Sequence, residues 1–415
     1  MIRDAVGRVA LAGVLAGASL ALAGEGTGGW PAFHGPGRDG ISAEKGLLKR
    51  WPEGGPRRVW TFEECGRGYA CVTVADGMIF TAGDFGNEEM ILALNLDGKL
   101  LWKAPNGRSW RGSTPGSRST PTYDEGVLYH LNPTGRLAAY RARSGEPVWV
   151  VDLRARFDAK FGAWALAESV VIDGDKVLCV PGGRGGRVVG LDKRTGETIW
   201  ANTTLRDTAA YCSPVLATYK GVRMLITLMR RSVVAVDAET GAQLWTYPIG
   251  RPIAQNATTP VFQDGYVFIA SGHSSGGTLL KINPDLRGVT KVWYREDFDN
   301  CHGGVILVNG RLYGGGCRLG GKAFFCIDFL TGRTRHSDLT VGKVSITYAD
   351  GMLYCLHHEG KMLLIEITPE GFDVVSAFDL PTPSENLHLA YPVVCGGRLY
   401  VRYDRWLYAW DIRAK

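Results

Sequence analysis

The 415-residue chain contains no long run of charge of one sign, no heptad repeat and no amphipathic helical pattern. Lysine and arginine exceed aspartate and glutamate by only 47 − 41 = 6, and both signs are mixed along the sequence. A nucleic-acid-binding surface usually needs clustered basic residues, so the charge pattern argues against one. The one extended apolar stretch, residues 9–22, is short for a membrane span of ~20 residues. We therefore expect no nucleic-acid partner and no membrane span in the mature protein.

The first residues have the pattern of an export signal. Arg3 and Arg8 supply positive charge, the apolar stretch follows, and the small residues at 21–23 resemble a cleavage site. We predict a signal peptide over residues 1–23 and export to the periplasm or the extracellular space. The alternative is an N-terminal membrane anchor. No cysteine follows the cleavage site, so lipid attachment is not expected there.

One short phrase is typical of a β-hairpin. Residues 232–247, SVVAVDAETGAQLWTY, contain a β-branched apolar run, a turn and a second extended run. Asp237 can hydrogen-bond the local backbone, and Gly241 can adopt positive φ at little cost. The sequence therefore predicts a strand, a tight turn and another strand.

The phrase recurs along the chain at a nearly constant interval. Its turn glycines are separated by 47, 51, 45, 47, 44 and 39 residues, and they are Gly98, Gly145, Gly196, Gly241, Gly288, Gly332 and Gly371. A period in the forties with several strands per unit is typical of a β-propeller blade. The glycine content, 56 of 415 residues, agrees with many tight turns.

A second apolar hairpin precedes each phrase, so each unit is predicted to be a four-stranded antiparallel blade. The inner hairpins number eight. The C-terminal unit has only three strands, and residues 58–62, RVWTF, form a strand without a preceding repeat. We predict an all-β, eight-bladed propeller over residues 58–415, with this N-terminal strand completing the last blade. Residues 24–57, rich in glycine and proline, are predicted to be an arm lying on the propeller.

Nine cysteines remain after the predicted signal peptide, and most lie within apolar strand runs. We expect most of them to be small buried side chains, and an odd number leaves at least one unpaired within the chain. Cys65 and Cys71 are the first pair to consider for a disulfide. Connectivity does not follow from sequence.

From residue 30 onward the chain resembles the PQQ-like (pyrroloquinoline quinone repeat) propellers. Its phrases WPAFHGPGRDGIS, FGAWALAESVVIDGDKV, YCSPVLATYKGVR and GRLYVRYDRWLYAWDI resemble, more narrowly, exported PQQ-binding-like repeat proteins of planctomycetes and related bacteria. The resemblance implies an eight-bladed ring. More distant families with this repeat are quinoprotein alcohol dehydrogenases and scaffold subunits of outer-membrane assembly machinery, so the fold alone does not imply an activity.

Features of the quinoprotein enzymes are missing from the sequence. PQQ-dependent alcohol oxidation needs a hard cation such as Ca²⁺ and a carboxylate base. The larger enzymes also have adjacent cysteines, and some have a CxxCH haem motif, whereas residues 298–302 read FDNCH. We therefore favour a non-catalytic scaffold without a cofactor. The alternative is a quinone-dependent dehydrogenase binding PQQ with Ca²⁺, and other enzyme classes remain open.

A binding site is expected at the mouth of the central channel, where loops enter the innermost strands. These loops carry polar and aromatic residues that could hold a protein partner or a small polar ligand, namely Lys160, Trp164, Tyr211, Gln255, Asn256, Asn300, His302 and His388. Alternatively these side chains satisfy one another and trapped water. We expect no catalytic or metal-binding residue among them. On the binding hypothesis, alanine at Asn256 or His302 leaves folding nearly unchanged and weakens the ligand.

Overall fold

The computed structural model describes residues 29–249, 255–273, 275–318, 322–381 and 386–414. Within these residues the chain forms 33 strands in eight sheets and one short helix. The predicted eight-bladed propeller of four-stranded antiparallel blades is confirmed. The predicted signal peptide lies outside the described residues. No helix in the described part of the chain is both long and apolar enough to cross a membrane.

The first four blades follow one another along the chain, each built from four consecutive strands. Blade 1 contains β3 (Thr73–Ala75), β4 (Met78–Phe85), β5 (Glu88–Asn95) and β6 (Leu100–Arg108). Blade 2 contains β7 (Thr122–Asp124), β8 (Val127–Leu131), β9 (Arg136–Arg141) and β10 (Pro147–Asp152), followed by helix α1 (Leu153–Phe157). Blade 3 contains β11 (Val171–Asp173), β12 (Lys176–Cys179), β13 (Val188–Asp192) and β14 (Thr198–Asn202). Blade 4 contains β15 (Val215–Tyr219), β16 (Val222–Leu228), β17 (Ser232–Asp237) and β18 (Gln243–Pro248).

The remaining blades include two strands from the N-terminal part of the chain. Blade 5 contains β19 (Val261–Gln263), β20 (Tyr266–Ala270), β21 (Gly277–Ile282) and β22 (Val289–Arg295). Blade 6 contains β23 (Val305–Val308), β24 (Arg311–Gly315), β25 (Phe324–Asp328) and β26 (Thr334–Asp338). Blade 7 contains β27 (Val344–Ala349), β28 (Met352–His357), β29 (Lys361–Ile367) and β30 (Phe372–Asp379), with β1 (Ile41–Ser42) added parallel to β27. Blade 8 contains β31 (Val393–Cys395), β32 (Arg398–Tyr403), β33 (Trp406–Asp411) and β2 (Arg57–Phe62).

The first strand of each blade lies at the central channel, and successive first strands contact one another in blades 1 to 3 and in blades 5 to 8. Hydroxyl side chains link successive inner strands to one another. Thr122 Oγ1 donates to Val170 O at 2.8 Å, and Thr258 Oγ1 donates to Asn300 O at 3.0 Å. These bonds satisfy backbone carbonyls that face the neighbouring blade rather than a strand partner. The inner ring is therefore held by hydrogen bonds as well as by apolar packing.

The tryptophan of the repeated phrase packs against the turn of the next blade. The Trp102 indole lies beside Gly145, and its Nε1 donates to Ala142 O at 3.0 Å. Trp149 repeats the contact one blade later by donating to Lys193 O at 2.9 Å. Gly145 has φ of +72°, and an added Cβ would lie 2.6 Å from Trp102 Cε3. The repeat therefore encodes a contact between blades, since both the backbone conformation and the close ring require glycine.

The ring closes as predicted. β2 pairs antiparallel with β33 and forms the outer strand of blade 8, so residues 58–62 lie in the strand assigned to them. Trp60 on β2 donates from Nε1 to Leu96 O at 2.9 Å and packs at the turn glycine of blade 1, Gly98. Both ends of the propeller chain therefore share one sheet, and the contact between blades continues across the junction.

Residues 30–42, part of the segment predicted to be an arm, cross the central channel. Trp30 and Val74 exchange backbone hydrogen bonds of 2.7 and 2.9 Å in blade 1. Tyr123 N of blade 2 donates to Pro31 O at 2.8 Å. At the other end of the segment, Ile41 and Ser42 pair with β27 of blade 7, and Ser42 Oγ donates to Val394 O of blade 8 at 2.9 Å. Most of this segment is turn or bend rather than strand.

Arg38 fixes the middle of the arm. Its guanidinium donates to Ser169 O at 2.7 Å, Val170 O at 3.1 Å and Pro214 O at 3.1 Å, which belong to the segments entering blades 3 and 4. The side chain is buried, and burial lowers its pKa to about 10. With contacts to blades 1, 2, 3, 4, 7 and 8, the arm closes one end of the channel.

Candidate functional site

A cavity of about 210 Å³ opens at the other end of the channel. Its walls come from the segments that precede the first strand of every blade, and its floor includes Phe33 of the arm. The lining residues are Phe33, Tyr69, Cys71, Thr114, Arg118, Trp164, Ala167, Tyr211, Ser213, Gln255, Ala257, His302, Lys343, Leu387, Leu389 and Tyr391. We call this set the mouth cavity. Because the arm closes the channel below it, the cavity is a blind hole rather than a passage.

Aromatic rings form much of the wall. Trp164 and Tyr211 meet edge to face with ring centroids 5.4 Å apart. Phe33 and Tyr391 make a second edge-to-face pair at 5.2 Å, and the Tyr391 hydroxyl donates to His302 O. Aromatic pairs of this kind stabilise each other beyond simple burial. The rings are therefore held in place and present flat apolar surfaces to a ligand.

Arg118 places a positive charge in the wall. Its guanidinium donates to Trp164 O at 2.8 Å and to Thr114 O at 2.6 Å, so backbone carbonyls rather than a carboxylate hold it. Burial lowers its pKa, but a guanidinium stays protonated in a protein. The carboxyls of Asp84 and Glu89 act on Arg118 through its electrostatic surroundings, and burial raises the pKa of Asp84 to about 7. Among the described residues Arg118 forms no ion pair, and its hydrogen bonds go to backbone carbonyls.

Lys343 is the second cation of the cavity. No described residue hydrogen-bonds to its ammonium or forms an ion pair with it. Burial, and then the nearby Arg318, lower the pKa of Lys343, whereas Asp299 acts in the opposite direction. Asp299 is itself engaged, since it accepts bonds from Cys317 N at 2.9 Å and Arg318 N at 3.1 Å. An unpaired, half-buried ammonium costs free energy that an anionic ligand would offset.

His302 lies beside Lys343 in the wall. Burial and then the Lys343 charge hold the pKa of the imidazole well below its ordinary value of 6.5. The ring is therefore neutral at physiological pH and offers one N–H donor and one nitrogen acceptor. Among the described lining residues there is no aspartate or glutamate. The cavity is thus positive overall, with one cation contributed by the segment before blade 2 and the other by the segment before blade 7.

The structure brings together four of the eight residues expected at the mouth: Trp164, Tyr211, Gln255 and His302 all line the cavity. The exposed Lys160 lies outside the lining and pairs with Asp158 at 2.7 Å.

The other three expected residues are buried and support the loops. Asn256 donates to Met229 O at 2.6 Å and Arg230 O at 3.2 Å. Asn300 donates to Gly315 O at 2.9 Å and Gly304 O at 3.2 Å. His388 stacks on Tyr403, with centroids 3.5 Å apart, and contacts His358 O at 3.0 Å through Nδ1. Their polar groups satisfy backbone carbonyls, as buried polar groups usually must.

Sequence reasoning missed several lining residues, above all Tyr69, Arg118, Lys343 and Phe33. Arg118 lies in RGSTPGSRST, which precedes the first strand of blade 2, and basic residues in a loop entering an innermost strand were an available signal. Lys343 directly precedes β27 and carries no distinguishing motif. Phe33 reaches the cavity only because the arm crosses the channel.

The cysteines differ from one expectation and agree with another. Cys65 and Cys71 are unpaired and buried, so the pairing considered first is wrong. Instead Cys301 and Cys317 form a disulfide in blade 6, next to the mouth cavity. Cys71 Sγ accepts a hydrogen bond from Tyr391 N at 3.1 Å. The other seven cysteines are buried thiols, as expected for small core side chains.

Eight four-stranded blades, a hairpin phrase ending in tryptophan and a closed ring define a PQQ-like β-propeller. Within that class, the family described as outer membrane protein assembly factor BamB matches residues 87–338, more than half of the chain. The chain belongs to this family. The narrower resemblance to planctomycete repeat proteins finds no support in this match.

Curated relatives come from two groups. The outer membrane protein assembly factor BamB of Escherichia coli K12 is 27% identical over 228 residues, which cover 52% of this chain and 50% of that protein. The quinohemoprotein alcohol dehydrogenase ADH IIB of Pseudomonas putida is 29% identical over 211 residues, covering 48% and 27%. The alignments thus span half or less of the length of these relatives.

Solved structures share the fold at low identity. BamB from Moraxella catarrhalis superimposes with a TM-score of 0.62 at 17% identity, covering 86% of this chain and 100% of that chain. A europium-containing methanol dehydrogenase gives 0.66 at 12%, covering 91% and 89%. At these identities the likeness concerns the fold alone.

The described cavity does not fit a Ca²⁺-bound quinone cofactor. Ca²⁺ takes six to eight oxygen ligands, usually including carboxylates, and alcohol oxidation needs a carboxylate base. The described lining contains no carboxylate that could serve as a ligand or as a base. No group of three or more His, Cys, Asp or Glu in the described ranges could hold a metal ion. The volume also lies below the ~300–1,000 Å³ typical of pockets for drug-sized ligands. We therefore derive no reaction step through PQQ.

Proposed function

We propose that this protein is an exported, non-catalytic binding propeller that recognises a protein partner or a small polar ligand through its mouth cavity. The proposal includes the division into a signal peptide over residues 1–23, an arm over 24–57 and a propeller over 58–415. One observation carries it: every blade contributes to a single blind cavity with aromatic walls and two cations. Relatives named as assembly factors support a scaffold role, since that name describes assembly rather than catalysis.

Site-specific crosslinking tests the mouth as the binding surface. A photoreactive residue at Leu387, which lines the cavity and is 49% exposed, should crosslink a partner in the envelope of the source organism. The control is the same residue at Leu339, which is 67% exposed and lies just after the outer strand of blade 6. Adding Trp164→Ala should reduce the crosslink at Leu387, because it removes an aromatic wall. Equal crosslinking at both positions would contradict a mouth-specific partner.

A second candidate function is a quinone-dependent dehydrogenase. It is favoured by the relatives named quinoprotein and quinohemoprotein alcohol dehydrogenases and by the flat aromatic walls. Calorimetric titration with PQQ, with and without Ca²⁺, separates the candidates because it measures binding without requiring turnover. The absence of carboxylates from the described lining predicts no Ca²⁺-dependent heat. Tight one-to-one binding that requires Ca²⁺ would favour the enzyme instead.

A further inference from the structure

The mouth cavity has a shape that limits how a polypeptide can enter it. The arm closes the channel below Phe33, and Arg38 ties the arm to the carbonyls of blades 3 and 4. A chain therefore cannot pass through the ring. Only a chain end or a single side chain can enter, and a volume of about 210 Å³ suits one residue rather than a folded segment.

The cavity also has a charge that selects what enters. Lys343 has no partner among the described residues, and Arg118 bonds only to carbonyls. His302 is neutral and can donate one hydrogen bond beside Lys343. A carboxylate would pair with the ammonium, and charge-assisted hydrogen bonds of this kind are stronger than neutral ones. An ammonium or a second guanidinium would instead be repelled by both cations.

The aromatic wall indicates which kind of side chain would lie next to the carboxylate. Trp164 and Tyr211 stand on one side of the cavity, while Phe33 and Tyr391 form another face. An apolar or aromatic side chain would bury area against these rings, which stabilises binding roughly in proportion to that area. The positive and aromatic parts together match a terminal residue that has both a carboxylate and an apolar side chain.

We propose that the mouth cavity captures a carboxylate of a polypeptide inserted end-on, with the chain terminus of an apolar or aromatic residue as its source. This inference rests on the proposed function, because it names the chemistry recognised at the same cavity. Lys343 pairs with the carboxylate, His302 donates a hydrogen bond to it, and the aromatic walls receive the side chain. An acidic side chain offers the same group, so the test must separate the two sources.

Titration of the purified protein with three short peptides tests this. Acetyl-Gly-Gly-Phe with a free carboxylate should bind at least tenfold more tightly than the same peptide with a C-terminal amide. Acetyl-Gly-Glu-Gly-amide carries its carboxylate on a side chain. If it binds more tightly than the free acid, the cavity does recognise a carboxylate, but the source of that carboxylate is a side chain and the proposed chain terminus is wrong. Binding of the free acid should weaken as salt rises, since the attraction is between charges.

Lys343→Met should lower the affinity for the free-acid peptide at least tenfold, while Lys343→Arg should retain most of it. The matched control is Lys220→Met, which removes an exposed lysine far from the mouth on the hairpin turn of blade 4. Unchanged affinity in Lys343→Met, or equal affinity for acid and amide, would overturn the inference. Equal binding of acid and amide leaves the proposed function intact, because the mouth still binds a peptide. Failure of all three peptides together with no crosslink at Leu387 rejects both.

Discussion

The contact between the repeated tryptophan and the next turn can be tested at Gly145. Gly145→Ala places a Cβ 2.6 Å from Trp102 Cε3, closer than real Cβ contacts, at a residue with φ of +72°. The ring must move, which weakens the hydrogen bond from Trp102 Nε1 to Ala142 O. Unfavourable backbone conformation costs about 1–2 kcal/mol. Overpacking adds about 1–3 kcal/mol. We therefore expect Gly145→Ala to lower the free energy of unfolding by about 2–5 kcal/mol.

Gly126 is the matched control in the same blade. Its φ is +84°, but nothing lies within 4 Å of an added Cβ, so Gly126→Ala carries only the backbone cost of about 1–2 kcal/mol. Urea unfolding followed by both tryptophan fluorescence and circular dichroism would measure the two variants. Two probes are needed because a chain of this size need not unfold in one step.

A double-mutant cycle isolates the ring contact. In a Trp102→Leu background the smaller side chain leaves room for the new methyl group, so Gly145→Ala should cost no more than Gly126→Ala. A coupling free energy of about 1–3 kcal/mol is expected between the two positions. Equal costs for Gly145→Ala and Gly126→Ala in the wild-type background, or no coupling in the cycle, would show that the tryptophan contact between blades contributes nothing to stability.

Two further predictions concern buried polar groups. Burial raises the pKa of the Glu168 carboxyl from its ordinary value of 4.5 to about 8. Between these two values the folded state keeps a proton that the unfolded state loses, so stability falls with rising pH by up to about 1.4 kcal/mol per pH unit. Glu168→Gln should remove this slope in urea unfolding measured from pH 5 to 8, and an unchanged slope would refute the assignment. Asn256→Ala should lower the free energy of unfolding by about 2–4 kcal/mol, because it leaves the buried carbonyls of Met229 and Arg230 without their donor. The control is exposed Asn87→Ala, and a loss equally small in both variants would restore Asn256 as a candidate ligand contact.

The ring itself could be predicted because its determinants are local. Each hairpin turn carries its own signal, as in the phrase around Asp237, whose Oδ1 accepts bonds from Glu239 N and Thr240 N. The closing strand was also predictable, since residues 58–62 lack a repeat and blade 8 lacks a strand. Periodicity therefore specified the number of blades and the way the ring closes.

The mouth could be predicted only as a set of loops. Loop residues have no periodicity, so the sequence does not indicate which side chains face the cavity and which turn inward. Asn256 and Asn300 turn inward because irregular backbone beside them has carbonyls that need donors. Lys343 faces the cavity, although no sequence motif distinguishes it from other lysines. The disulfide was missed for a related reason: Cys301 and Cys317 approach through the folding of blade 6, with Cα atoms 5.5 Å apart.

The arm decides what kind of site the ring can offer. Eight blades alone would enclose a channel open at both ends, through which an extended chain could pass. Trp30, Arg38 and Ser42 fasten the arm across that channel, and Phe33 becomes part of the cavity floor. A blind cavity with two cations in its wall distinguishes ligands by their ends, whereas an open channel would distinguish them by cross-section. Recognition by this propeller therefore depends on a segment outside the repeats, and shortening the arm should change what binds even where every blade remains folded.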